Sequence, residues 1–182
     1  MIVMGLDLSL TGTGLHVLEG PEKPKPWEGP SHLVKTTPDH GTTEQRILMV
    51  WRGITGFLKA KEIRPHLIII EGPSFASQGN SGAYRAGLSY FVRCKLTDLS
   101  VPYHVVAPTS LKKFVVKGNA QKNVMLLEVF DRWKVKFHDD NLADAYALAR
   151  YGHEVIGSPG AATNGAVPKK TPKKKKALDP NL

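Results

Sequence analysis

Cysteine is nearly absent: Cys94 is the only one in 182 residues. One thiol excludes an intramolecular disulfide framework and any multi-cysteine zinc site. Long apolar runs are missing too, and none approaches the ~20 residues of a membrane span. The opening MIVMGLDLSL has no basic stretch and carries Asp7 inside its apolar run, which makes it a poor signal peptide. A cytoplasmic-type compartment is therefore expected. Acidic residues are in short supply, 16 against 25 Lys and Arg, for a formal net charge of +9. The excess is uneven: from Ser158 onward there are six lysines and one aspartate. A mildly basic body with a strongly basic tail points to a polyanionic partner, the plainer alternative being a tail that only aids solubility.

With 41% hydrophobic residues the chain can build a full core. The composition divides it into a domain over 1–157 and a Gly/Ala/Pro/Lys-rich tail over 158–182, which has little to bury and is expected to be disordered. Ile2 to Leu8 reads as a buried strand, Gly12 and Gly14 as a turn, and Leu15 to Leu18 as a second strand. A proline-rich loop follows, then a short strand over 32–35. Thr42 and Gln45 form a capping-box pattern before Ile47, Val50, Ile54, Phe57 and Leu58, whose spacing predicts a helix over 43–60. Leu67 to Glu71 has the continuous apolar character of a central strand. Tyr84, Gly87, Leu88, Phe91 and Lys95 predict one face of a helix over about 79–96. A strand over 102–106, a short helix opened by Pro108, and helices over about 121–133 and 140–151 complete the pattern. The expected fold class is α/β, with a mixed central sheet flanked by helices.

Three acids stand out because each sits among apolar residues. Asp7 lies between Leu6 and Leu8, Glu71 ends the run Leu67 to Ile70, and Asp144 shares a helix with Leu142, Ala145, Tyr146 and Ala149. A lone buried carboxylate is costly unless it is paired or binds a metal. Separate explanations exist: a salt bridge or turn cap for Asp7, a pairing with Arg85 for Glu71, a solvated helix edge for Asp144. Convergence on divalent cations accounts for all three at once. Mg²⁺ takes oxygen ligands, and two such ions can flank a scissile phosphate.

The order of four segments resembles the RuvC family of Holliday junction resolvases, in the RNase H-like nuclease superfamily, and especially its short bacteriophage versions. The segments are 2-IVMGLDLSLTGTGLHVL-18, 68-IIIEGPSF-75, 108-PTSLKKFVVKGNAQK-122 and 140-DNLADAYALA-149. The resemblance covers Met1 to about Tyr151 and implies a RuvC-type RNase H-like fold. It implies that Asp7, Glu71 and Asp144 are catalytic, metal-binding carboxylates for two Mg²⁺, with Mn²⁺ as a substitute. The family's fourth ligand falls at Asn141, a weaker neutral donor; Asp140, on nearly the same helical face, is the alternative, ahead of Asp139 and His138. Lys112 and Lys122 match positions that face nucleic acid, and Lys113 and Lys117 lie nearby. Phe75 matches a position that places an apolar side chain against the junction. Arg85 and Arg93 are further phosphate candidates. The resemblance also implies a homodimer joined through the helix over about 79–96, with Tyr90 as a contact, and a bacterial host cytoplasm.

These residues lead to a metal-dependent, structure-selective endonuclease that cleaves four-way DNA junctions. A broader branched-DNA or flap endonuclease on the same fold is the nearest alternative. A non-catalytic nucleic-acid-binding module is less consistent with three intact acids. An actin-like ATPase also opens with an acid and a Gly-rich hairpin, but it needs a second phosphate-binding hairpin and a much longer chain.

Overall fold

A computed structural model of the chain describes residues 1–20, 29–72, 80–116 and 125–157. Phe75, Lys117, Lys122 and the tail from Ser158 lie outside the described residues. Alternation along the first strand, β1 (Ile2–Asp7), sets the architecture. Val3 packs in one apolar cluster, and Met4 and Leu6 pack in the other. Successive side chains of a strand point to opposite faces, so Gly5 and Asp7 share the face of Val3. β1 pairs antiparallel with β2 (Thr13–Glu19), which pairs antiparallel with β3 (Ser31–Val34). On its other edge β1 pairs parallel with β4 (Leu67–Glu71), and β4 pairs parallel with β5 (Tyr103–Val106). The sheet order is β3-β2-β1-β4-β5. The strand predicted over 32–35 thus begins one residue early, and the others fall within a residue or two of expectation.

Helices cover both faces. α1 (Thr43–Ala60) opens with the predicted capping box, in which the backbone N–H of Thr42 donates to Gln45 Oε1 at 2.7 Å. It buries Val50, Ile54 and Phe57 on the Met4 and Leu6 side, with α2 (Asn80–Asp98) beside it. On α2 the buried stripe is Leu88, Ser89, Val92 and Leu96; of the predicted face, Leu88 is buried and Phe91 packs partly against the core, but Tyr84 does not. The helix has little apolar contrast between its faces, so its aromatic rings misled the phase. Tyr84 is 44% exposed and Tyr90 59% exposed. No helix among the described residues is long and apolar enough to cross a membrane.

The opposite face carries α3 (Pro108–Val115), α4 (Met125–Trp133) and α5 (Asp140–Tyr151), followed by a π-helical turn over Gly152–Ile156. α5 is the central helix: Ala143, Ala145, Tyr146, Ala147, Leu148 and Ala149 are all fully buried. Its approach to the sheet depends on glycine. A Cβ on Gly5 would lie 1.9 Å from the Ala145 carbonyl oxygen, and one on Gly14 2.1 Å from that of Asn141. Glycine inside a strand marks such close backbone approach. Beyond α5, Glu154 gathers three donors. It accepts from Arg132 (3.0 Å), the Trp133 indole N–H (3.2 Å) and Arg150 Nε (2.9 Å), while Arg132 also donates to the Phe114 carbonyl. The π-helical turn is thereby tied to α4, and through Arg132 to the end of α3.

Candidate active site

Asp7 and Glu71 end neighbouring parallel strands. The β1–β4 register runs through Leu6 opposite Ile70, so the next residues along, Asp7 and Glu71, stand level at the carboxyl ends of their strands. Side-chain alternation puts Glu71 on the face of Leu67 and Ile69, the face that α5 covers. In open α/β sheets the crevice outside the carboxyl ends of the strands is the usual place for a ligand. Gly5 and Gly14 let α5 lie close to β1 and β2, which carries Asp144 to the same end.

The three acids influence one another. Burial pushes the Asp7 carboxyl well above the usual carboxylate range, and the charges of Asp144 and Glu71 push it further. Burial raises Glu71, while Arg85 and Lys112 draw it back. Asp144 is pushed up to about 7, chiefly by burial, then by Glu71 and Asp140, with Lys112 opposing. Carboxyl groups raised by burial and by one another's charge lie near one site, and Arg85 and Lys112 compensate that charge only in part. Among the described residues the only ion pairs join Glu154 to Arg132 and Arg150, so none of the three acids is in one. The salt-bridge explanations for Asp7 and Glu71 are therefore not met; Arg85 acts on both acids through space.

Among the described residues, no group of three or more His, Cys, Asp or Glu side chains is arranged around one point as a ligand set. Asp7 and Asp144 are nevertheless close enough to the other acids to feel their charge. The chemistry of the three acids fits a hard divalent cation: oxygen donors, partly buried, with an excess of negative charge.

The remaining predicted residues divide clearly. Asp140 is exposed at the start of α5 and acts electrostatically on Asp144. Asp139 caps α5, its Oδ1 accepting from both the backbone N–H and the side-chain amide of Asn141 at 3.0 Å each. That arrangement orients the Asn141 amide, whereas Asp140 carries a full negative charge near Asp144. Lys112 is exposed on α3 and faces Glu71 and Asp144; Lys113 is exposed beside it. Arg93 lies over the rings of Tyr90 (4.8 Å) and Tyr103 (6.0 Å).

Two features were missed from sequence. Gly5, two residues before Asp7 in an apolar strand, carried a readable signal that was not used. The role of Arg46 was not legible, because its partners Thr36 and Leu10 are distant in sequence.

The sequence matches no family model and no curated protein. The fold does find matches. Thermus thermophilus RuvC in complex with a Holliday junction substrate superposes with a TM-score of 0.70 at 26% identity, over 90% of this chain and 98% of that one. A second T. thermophilus RuvC structure gives 0.62 at 25% identity, over 82% and 91%. The fowlpox virus resolvase in complex with Holliday junction DNA gives 0.51 at 15% identity, over 82% and 95%, a likeness of fold alone. Likeness along nearly the whole of both chains, with the strand order described above, gives this chain the RuvC-like fold, that of structures which are RNase H-like Holliday junction resolvases.

Proposed function

We propose that the chain is a divalent-cation-dependent endonuclease that cleaves four-way DNA junctions by hydrolysing a backbone phosphodiester. The observation that carries this reading is the placement of Asp7, Glu71 and Asp144, three partly buried acids whose pKa values are all raised, at one end of the sheet. The likeness to a RuvC bound to a Holliday junction supports the choice of substrate.

Asp7, Glu71 and Asp144 would hold Mg²⁺, with Asp140 rather than Asn141 as the fourth donor, and Mn²⁺ as a substitute. Two bound cations would supply an activated water and charge compensation at the leaving oxygen. The chain's own part is to fix the acids on rigid strand ends and a buried helix. Lys112, which already offsets the charge of Glu71 and Asp144, contacts the phosphate that arrives there. Lys113 adds a more peripheral phosphate contact. The exposed outer side of α2, with Tyr90, is the proposed homodimer face, which would present two such sites to the two sides of a junction. Phe75, Lys117, Lys122 and the basic tail are proposed to contact DNA on sequence grounds.

The test is a cleavage panel with Mg²⁺ on four-way junctions, flaps and Y-forks. Faster cleavage of the junction, by paired nicks, supports this reading. Equal rates on all three substrates favour the broader branched-DNA nuclease.

A further inference from the structure

Beside the acids, a cleft of about 220 Å³ opens between the turn that follows β1, the first turns of α1 and the start of α2. Its lining is Ser9, Leu10, Thr11, Arg46, Tyr84 and Arg85. Among the described residues its lining holds two guanidinium groups and no carboxylate, and one of them, Arg85, acts on Asp7 and Glu71. A water takes about 30 Å³ of liquid, so the space admits a tetrahedral anion with several waters.

Arg46 is held in place before any ligand arrives. Its Nε donates to Thr36 Oγ1 at 2.9 Å and its Nη2 to the Leu10 carbonyl at 3.2 Å. Thr36 is buried and itself donates to the Leu10 carbonyl. These bonds fix the turn and the guanidinium together, and the other guanidinium N–H groups remain to serve an anion. Across the turn, Ser9 Oγ accepts from the Thr11 N–H (3.2 Å) and lies 3.0 Å from Thr11 Oγ1. One hydrogen serves that hydroxyl pair, so the second O–H is available to donate outward. Arg85 is exposed, makes no ion pair among the described residues, and is near enough to Asp7 and Glu71 to act on both.

We infer that this cleft is a subsite for one non-scissile backbone phosphate of the cleaved strand, clamped by Arg46 and Arg85 with a hydroxyl from the Ser9–Thr11 pair. The inference rests on the nuclease reading above and deepens it. Successive phosphates rise about 3.4 Å along a strand, so holding a neighbour here fixes which phosphodiester lies over Asp7, Glu71 and Asp144. The cleft also offsets the repulsion between the incoming backbone and those acids. Phosphate contacts of this kind set register rather than read sequence.

The test is a methylphosphonate scan of a four-way junction, neutralising one phosphate at a time near the cut, with the full-length wild type and Arg85→Ala. Arg85 is exposed, so the variant should fold, which circular dichroism checks. Wild type is expected to lose about tenfold in affinity at one non-scissile position. Arg85→Ala is expected to bind the unmodified junction about tenfold more weakly, to lose nothing further at that position, and to spread its cuts over neighbouring phosphodiesters. Thr11→Val should give a smaller loss at the same position. A wild-type protein that binds and cuts the junction while Arg85→Ala shows the same penalty at every position overturns the subsite and leaves the nuclease reading standing. A wild-type protein that neither binds nor cuts any branched DNA overturns both.

Discussion

The space a side chain on Gly14 would need is already occupied by the backbone of Asn141: a Cβ there would sit 2.1 Å from that residue's carbonyl oxygen. Strand β2 and the start of α5 therefore touch backbone to backbone. The contact places Asp144 three residues further along the helix, next to the ends of β1 and β4. Gly14→Ala should push α5 off the sheet. Overpacking of this kind costs about 1–3 kcal/mol. The expected outcome is a lower melting temperature together with a loss of cleavage larger than the fraction unfolded explains. Thermal unfolding and single-turnover cleavage measured on the same preparation check it.

Asp144 provides a test of the site's electrostatics that needs no substrate. Its folded-state pKa, about 7, lies above the ordinary value of 3.8. The folded protein thus keeps this proton to a higher pH than the unfolded chain. The associated stability is complete below the unfolded pKa and is lost as pH rises through about 7. Asp144→Asn, which cannot ionise, should escape that loss. In chelator, the stability gap between Asp144→Asn and wild type should grow by at most about 3 kcal/mol between pH 5 and pH 8. His16, whose burial lowers its pKa to about 4, acts in the opposite direction and is common to both proteins, so the difference cancels it. A gap that does not change with pH would show that neither burial nor the neighbouring acids raise Asp144.

Divalent cations should reverse the same strain. Mg²⁺ or Mn²⁺ binds only the folded arrangement of acids, so it should raise the melting temperature of wild type in proportion to the logarithm of its concentration above Kd. Asp7→Asn should show little of this rise. An equal rise in both proteins would place the cation elsewhere.

How much of this was readable beforehand differed by element. The helix at 43–60 and the strand at 67–71 match their predicted limits, because a capping box and a continuous apolar run are local signals. Asp7, Glu71 and Asp144 stood out as acids among apolar residues, and the register of β1 against β4 explains why two of them meet. The phase of α2 was read only in part, since burial there follows Leu88, Val92 and Leu96 while Tyr84 and Tyr90 face outward. Glu154 and Arg46 could not be found from sequence, because their roles depend on partners brought together only by folding.

Glu154 illustrates a purely structural carboxylate for contrast. Removing its charge with Glu154→Gln takes away the ion-pair acceptor that Arg150 and Arg132 share; the Arg150 side chain is only 5% exposed, although Glu154 itself is 32% exposed. Breaking a buried pair from one side costs about 3–5 kcal/mol, and partial exposure reduces this to roughly 2 kcal/mol. Chemical denaturation should show that loss. The single-turnover rate of the folded fraction should stay close to that of wild type, unlike Asp144→Asn.

The central claim is that Asp7, Glu71 and Asp144 form one catalytic cation site. Its most direct test is cleavage of a four-way junction by wild type and Asp7→Asn, titrated with Mg²⁺ alongside a binding assay. The account predicts Mg²⁺-dependent cutting by wild type, no detectable cutting by Asp7→Asn, and undiminished junction binding by both. Equal cutting by Asp7→Asn and wild type would contradict it.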